Sequence, residues 1–281
     1  MELFMLLVDP LQLDAPLLTT ELRCVMEELL HEDAVILRQV PLTGGTGIVC
    51  DLPPHRSMEK LVARSRIQVS QVLAGAMIRA YESPIILRFI RQELVDTNLT
   101  AREFVTNRCS ELLAQHPPQP RKDLLQSELE AYLHEQSFLH VDGFMQFRAR
   151  AYLAELMQIV TRAIEEWRRE QQFQEFLSLL QAVIYSQDVK MRVLHVIYDQ
   201  RGLIGLMDEH LQSIHYSPIQ QEELISTLIY LAPEQLHIHS PDLDKQLFST
   251  MATIFQGRVR MCTNCRVCQP FLDKISPNDY D

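Results

Sequence analysis

Three cysteines stand close together near the end of the chain, at Cys262, Cys265 and Cys268. A C-x-x-C turn lets two thiolates converge on one metal ion, and the third thiol lies within reach of the same ion or cluster. The spacing is close to that of bacterial ferredoxins, but their fourth cysteine is absent here. The run therefore predicts a site for zinc or an iron-sulfur cluster that needs one more ligand.

Two histidines could supply that ligand. His237 and His239 are two residues apart in a predicted strand, so they share one face of a sheet. If residues 235–239 and 258–261 form parallel strands joined by a helix, their carboxyl ends lie at the same sheet edge. His239 would then lie at the same rim as Cys262, and either histidine could complete a Cys3His set. The alternative is that both histidines are exposed at a sheet edge and the thiols are free.

The charges around the cysteines are basic. Arg258 and Arg260 precede the thiols, Arg266 lies between two of them, and no acidic residue occurs from Gln256 to Leu272. A positive field favours thiolate over thiol, which supports metal binding or redox sensing and, to a lesser degree, contact with an anion or nucleic acid. A solvated basic strand explains the arginines equally well.

Other motifs carry less chemistry. The segment Thr43–Gly47 lacks the Gly-Lys-Ser/Thr ending of a phosphate loop and leads into a strand, so it predicts a simple turn. Asp199, Asp208 and Glu209 flank a predicted hairpin and could bind a divalent ion, although acidic residues at strand ends are usually solvated. No serine-hydrolase elbow, zinc-protease helix or dinucleotide fingerprint is present.

The remaining cysteines and the single tryptophan are expected in the core. Cys24 and Cys109 are predicted on the apolar sides of their helices and Cys50 in a strand, where a buried thiol behaves as a small hydrophobe. Trp167 continues a helical apolar stripe, so packing is the expected role for it.

The elements that must position these residues follow from hydrophobic periodicity. Residues 2–8 predict a buried strand, and residues 15–31 predict a helix whose apolar face contains Leu17, Leu18, Leu22, Val25, Met26 and Leu29. Residues 35–40 and 48–52 flank the glycine-rich turn and predict a hairpin. Residues 1–55 are therefore predicted to form a small β-α-β-β unit.

Residues 56–188 predict a succession of helices. Ser83-Pro84 indicates the end of one helix and the start of the next, and Thr100 with Glu103 has the capping-box pattern. The prolines in residues 116–120 predict an extended connector. No proline or glycine occurs from Phe144 to Arg201, and two out-of-phase apolar stripes predict two helices or one helix bent near residues 169–171.

Residues 189–281 predict a C-terminal α/β unit that carries the cysteine-rich tail. A hairpin is expected at 193–198 and 203–207, followed by a helix over 217–231, a strand at 235–239, a helix over 242–255 and a strand at 258–261. Strands that alternate with helices imply right-handed parallel crossovers, so the sheet should be mixed. The fold class is therefore mixed α/β and rich in helix.

Composition limits the partners and the compartment. The formal net charge of −11 opposes non-specific binding to nucleic acid or an anionic membrane. Leu3–Val8 is too short to span a bilayer, and no basic residue precedes it as in a signal peptide. We therefore expect a cytoplasmic protein without membrane insertion, with reduced or metal-bound cysteines.

Four blocks in the second half of the chain carry a resemblance to a known family. They are Gly143–Arg148, Glu175–Leu180, Ser226–Pro233 and the run Cys262–Cys268. In this order they resemble the YtxC-like putative sporulation proteins of endospore-forming bacteria. The segment Ala163–Trp167 departs from the more acidic, tyrosine-bearing version of that family. The resemblance implies a cytoplasmic role in sporulation and brings no known reaction, cofactor or catalytic residue.

Two functional hypotheses follow. The first is a non-enzymatic accessory or regulatory protein of spore formation that works with protein partners and carries a thiol or metal element in its tail. The second is a metal-dependent enzyme that acts on nucleic acid or a nucleotide through the C-terminal sheet edge, with His237, His239, Asp208 and the arginines as candidates. Scaffolding with inert thiols is the remaining possibility.

Overall fold

The computed structural model describes residues 2–30, 36–51, 58–95, 97–198, 204–214, 221–239 and 245–262. These residues form two compact units, one over 1–168 and the other over 169–281. Each unit contains a four-stranded sheet, and helices make up most of the described chain. The predicted helix-rich, mixed α/β class is therefore confirmed.

The sheet of the first unit is built around its first strand. The predicted β-α-β-β order is present as β1 (Glu2–Val8), α1 (Ala15–Leu30), β2 (Ile36–Leu42) and β3 (Gly45–Asp51). A short strand that the sequence pattern did not predict, β4 (Phe138–His140), completes the order β2-β3-β1-β4. β1 is antiparallel to β3 and parallel to β4.

The glycine-rich segment forms the turn of the β2–β3 hairpin, as predicted. Gly44 has a φ of +97°, a left-handed conformation that residues with a Cβ rarely adopt. A Cβ at Gly45 would lie 2.3 Å from the backbone oxygen of Val8. The glycines therefore serve a tight turn and a close approach to β1.

Three helices follow, and the first of them is longer than predicted. They are α2 (Met58–Glu93), α3 (Leu99–Gln115) and α4 (Gln119–Glu135). α2 continues through Pro84, where the sequence predicted a break. Proline removes one helix hydrogen bond, but Tyr81, Ile85 and Phe89 on both sides of it are buried in one core, and their burial outweighs that loss.

The boundaries of α3 and α4 also differ from the predictions. The N-cap of α3 is Asn98, whose side chain accepts a hydrogen bond from Ala101 N at 2.9 Å, and not the predicted capping box at Thr100. α4 begins inside the predicted extended connector, because Pro120 lies in its first turn, where the missing donor costs nothing.

Two more helices complete the proline-free region. The short helix α5 (Val141–Phe147) follows β4 directly, and α6 (Arg150–Ser186) is a single helix. Of the two alternatives for this region, one continuous helix is therefore correct. Its first half contributes Leu156 and Val160 to the core of the first unit, and its second half contributes Leu177 and Ile184 to the core of the second.

The second unit matches its predicted order of elements. That order is β5 (Met191–Tyr198), β6 (Ile204–Met207), α7 (Gln221–Leu231), β7 (Pro233–His239), α8 (Lys245–Ile254) and β8 (Val259–Cys262). The strands lie in the order β6-β5-β7-β8, with β5 antiparallel to β6 and parallel to β7, and with β7 parallel to β8. The predicted mixed sheet is confirmed.

The expected burial of the outlying cysteines is only partly correct. Cys50 and Cys109 are buried, but Cys24 is exposed. The buried stripe of α1 runs through residues spaced by four, Leu18, Leu22 and Met26. Cys24 is two residues from its nearest members and so points away from that stripe. Leu17 is also 52% exposed.

Within the described ranges, the helices lack the length of uninterrupted apolar sequence needed to cross a bilayer.

Candidate functional site

Three histidines of the second unit lie on one face of its sheet. In the parallel pair β5–β7, His195 is opposite His237 and Ile197 is opposite His239. The alternate residues Leu194 and Leu236 are fully buried in the hydrophobic core. Because side chains alternate along a strand, the three imidazoles belong to the sheet face opposite that core.

The three imidazole rings contact one another. Nδ1 of His195 lies 2.8 Å from Nε2 of His239, a hydrogen-bond distance. The ring centroids of His195 and His239 are 5.1 Å apart in a stacked arrangement, and those of His195 and His237 are 5.2 Å apart edge to face. One nitrogen of the bonded pair must donate and the other must accept, so the tautomers of His195 and His239 are coupled.

The surroundings favour the neutral form of each ring. Burial, followed by the charges of His195 and His237, lowers the pKa of His239 to about 4. Burial and the nearby Arg260 lower the pKa of His237. Burial and His237 lower the pKa of His195, and Asp208 opposes that shift. Neutral imidazole is the form that binds metal ions, so the cluster is prepared to act as a set of ligands at neutral pH.

One nitrogen of this cluster lacks a partner. Nε2 of His237 is buried and has no hydrogen-bond partner among the described residues. A buried polar nitrogen without a partner costs free energy, and a metal ion or a ligand atom would satisfy it. A buried nitrogen that lacks a partner is more typical of a binding site than of a packed interior.

The strand register brings a thiol to the same face. His239 is opposite Cys262 and His237 is opposite Arg260 in the parallel pair β7–β8. This is the arrangement that parallel strands were expected to produce at the carboxyl edge of the sheet. Cys262 is partly exposed. Cys265 and Cys268 lie outside the described residues, so the full predicted ligand set stays a prediction.

Within the described ranges, no group of three or more His, Cys, Asp or Glu side chains is arranged to hold a metal ion. The histidines and Cys262 are therefore neighbours that need further ligands, which only the tail cysteines could add from the predicted set. Sequence reasoning missed His195, the third ring of the cluster. Its position in an alternating strand was visible, but its partners depend on the β5–β7 register, which no local pattern reveals.

The acidic candidates near the hairpin have other roles where they are described. Asp208 accepts hydrogen bonds from the backbone N–H groups of His210 and Gln212, both at 2.9 Å. It therefore caps the turn after β6, and it also acts on the pKa of His195. Glu209 lies 3.6 Å from the exposed His210. Asp199 is outside the described residues.

Comparison with known proteins connects this chain to one family. A model of the YtxC-like family matches residues 67–260. The uncharacterized protein YtxC of Bacillus subtilis (strain 168) is 24% identical over 153 residues, which cover 50% of this chain and 54% of that protein. The chain thus spans about half the length of this curated relative. No solved structure matches the chain. The family match contains the three histidines and ends before Cys262.

Proposed function

The chain belongs to the YtxC-like family, and from that premise we propose that it is a cytoplasmic, non-enzymatic accessory protein of spore formation whose C-terminal sheet edge binds a transition-metal ion. The observation that carries the metal element is the position of Cys262 opposite His239, next to a neutral histidine cluster. In that cluster, a buried nitrogen of His237 has no partner in the part of the chain that the structure describes. The sporulation role is supported by the resemblance of the quoted sequence blocks.

The donor set favours zinc. Thiolate and imidazole are the usual ligands of structural zinc, which takes four of them in tetrahedral geometry. Cys262, Cys265 and Cys268 supply three thiolates, and an imidazole nitrogen of His237 or His239 supplies the fourth ligand. The arginines around the tail, among them Arg260, stabilise the thiolate form.

His195 has a supporting part in this arrangement. A histidine that binds a metal usually holds its other ring nitrogen in a hydrogen bond, which fixes the orientation of the ring. The contact between His195 Nδ1 and His239 Nε2 is such a bond, and it holds the His239 ring in one orientation. We expect His195→Ala to weaken metal binding without removing a ligand, by about tenfold.

The first test is the metal content of untagged protein purified without oxygen, measured by elemental analysis. We expect about one zinc per chain in the wild-type protein and almost none in a Cys262/Cys265/Cys268→Ser triple variant. His237→Asn and His239→Asn should show which imidazole is the fourth ligand. His210→Asn and Cys24→Ser are the matched controls, because both side chains are exposed and lie outside the proposed ligand set.

Metal-free wild-type protein would refute the metal element. Metal that stays bound in the triple variant would refute the assigned ligands. The sporulation part is tested separately by deleting the gene in its own host and counting heat-resistant spores. Restoration by wild-type protein but not by the triple variant would connect the two parts, and an unchanged spore count in the deletion strain would contradict the role in sporulation.

A further inference from the structure

The first unit contains a cleft at the carboxyl ends of two parallel strands. β1 and β4 are parallel, with Leu7 opposite His140, and each strand leads directly into residues that line the cleft. Asp9 follows β1, and Asp142 follows β4. The cleft has a volume of about 370 Å³. In α/β sheets the crevice outside the carboxyl ends of parallel strands is the usual place for a ligand.

A tyrosine fixes one carboxylate in this cleft. The hydroxyl group of Tyr81 donates a hydrogen bond of 2.6 Å to Oδ1 of Asp142. Burial raises the pKa of Tyr81, and Asp142 and then Asp9 raise it further, so the phenol keeps its proton and remains the donor. Tyr81 is 7% exposed and packed in the core, so it holds the Asp142 carboxylate in one orientation.

The other oxygen of this carboxylate is unsatisfied. Oδ2 of Asp142 is buried and has no hydrogen-bond partner among the described residues, although the residue lines the cleft. An unpaired carboxylate oxygen away from water costs more than a neutral polar atom. The missing partner is therefore a hydrogen-bond donor, and a cationic donor such as an ammonium group satisfies it best.

The guanidinium group of Arg88 also lines this cleft. Arg88 is two helical turns after Tyr81 on α2, so both residues belong to one helix face, and both line the cleft. Its guanidinium lies 5.4 Å from the ring centroid of Phe89, and within the described ranges it has no carboxylate partner. A guanidinium is suited to bind a carboxylate or a phosphate through two parallel hydrogen bonds.

A histidine adds a donor near the strand end. Nδ1 of His140 accepts a hydrogen bond of 3.1 Å from the backbone N–H of Gly143. In the neutral ring the proton then resides on Nε2. His140 lines the same cleft, so an acidic group bound there can accept a hydrogen bond from Nε2 of His140 in addition to those from Arg88.

We propose that this cleft binds a small zwitterion of the α-amino acid class, with its ammonium group on Asp142 and its carboxylate on Arg88. All of the residues concerned belong to the unit over 1–168, so this site is independent of the histidine-cysteine element and of the function proposed for it. Loss of metal binding by the histidine-cysteine element therefore does not imply loss of amino-acid binding in the cleft, and the reverse also holds.

The test uses the full-length protein and the common free amino acids as probes. Each amino acid is added at millimolar concentration in a thermal-shift assay, and those that raise the melting temperature are measured by isothermal titration calorimetry. We expect at least one amino acid to bind to one site per chain. The same compound without its amine, and the same compound as its amide without the free carboxylate, should both bind at least about tenfold more weakly.

Variants assign the binding to the cleft. Asp142→Asn keeps the shape of the side chain and removes the acceptor charge, and Arg88→Gln removes an exposed guanidinium without touching the core. Both variants should lower the affinity for the amino acid by about tenfold or more. Glu28→Gln and Arg64→Gln are the matched controls, since both are exposed charges outside the cleft and Arg64 lies on α2 like Arg88.

The proposal is overturned if no amino acid changes the melting temperature or gives binding heat. It is also overturned if a bound amino acid keeps its affinity in Arg88→Gln, a variant that leaves the core intact even if Asp142→Asn fails to fold.

Discussion

The cysteines of this chain differ in reactivity because of where each thiol lies. Burial raises the pKa of Cys109 to about 11, and burial together with Asp51 raises that of Cys50 to about 12. The thiolate is the reactive species, so two effects slow the reaction of Cys50 and Cys109 with reagents: burial limits access to the sulfur, and the raised pKa keeps the thiol protonated. Cys24 is exposed. The reactivities of these three thiols therefore serve as references for the reactivity of the tail cysteines.

Alkylation should reveal this difference. At pH 8 a thiol of pKa 11 is about 0.1% thiolate, so Cys50 and Cys109 should stay unlabelled during a short pulse of N-ethylmaleimide that labels Cys24. Both should react at once after unfolding in guanidinium. Peptide mapping by mass spectrometry measures each site. Labelling of Cys109 in the folded protein at the rate of Cys24 would show that its burial is wrong.

At the residue scale the sequence indicated part of the candidate site. His237 and His239 were visible because they are two positions apart in a strand, so their side chains must share a face. His195 and the hydrogen-bonded pair that it forms with His239 depend on a register between strands far apart in sequence. The Tyr81–Asp142 pair likewise joins residues of two distant helices. Local spacing contains no information on such contacts.

At the scale of elements, one polar network connects three helices of the first unit. Arg121 of α4 donates a hydrogen bond of 3.1 Å to Oε2 of Glu82 on α2, and the hydroxyl group of Tyr152 on α6 donates to the same oxygen at 3.2 Å. The side chains of Arg121 and Glu82 are only 6% and 17% exposed. Breaking a buried pair leaves a charge without its partner, which is costlier than losing an exposed pair.

This network gives a prediction about stability. Glu82→Gln should lower the free energy of unfolding by about 3 kcal/mol, because the Arg121 guanidinium stays buried without a counter-charge. The double variant Glu82→Gln/Arg121→Met should recover part of the loss. Arg79→Met is the control, because its pair with Glu21 is partly exposed and should contribute less than about 1 kcal/mol. Urea titration measures all three, and equal losses in Glu82→Gln and Arg79→Met would contradict the prediction.

Helices were predicted better than their ends. Apolar periodicity marks a helix because it reflects the face that the core buries, but the ends depend on contacts that periodicity does not contain. Pro84 was expected to end α2, and the packing of Tyr81 and Ile85 on either side keeps the helix intact. Thr100 was expected as the N-cap of α3, but the side chain of Asn98, two residues earlier, takes that role.

At the scale of the whole molecule, the core of the first unit combines residues that lie far apart in the chain. Leu6 of the first strand and Leu129 of the helical middle belong to the same hydrophobic core. β4, a strand of three residues far along the chain, pairs with β1 and contributes Leu139 to this core. A three-residue strand has no usable periodicity, so the sequence pattern did not predict β4 or its pairing with β1.

Two cores in one chain predict two unfolding transitions. Trp167 is the single tryptophan of the chain and packs against the core of the first unit, so its fluorescence reports on that unit. Leu129→Ala in this core should lower the urea midpoint seen by fluorescence, because a cavity at a fully buried leucine costs about 2–5 kcal/mol. Leu236→Ala, its match in the core of the second unit, should leave the fluorescence midpoint unchanged and shift only a phase seen by far-ultraviolet circular dichroism. If both variants shift both signals together, the helix α6, which contributes to both cores, couples them into one cooperative structure.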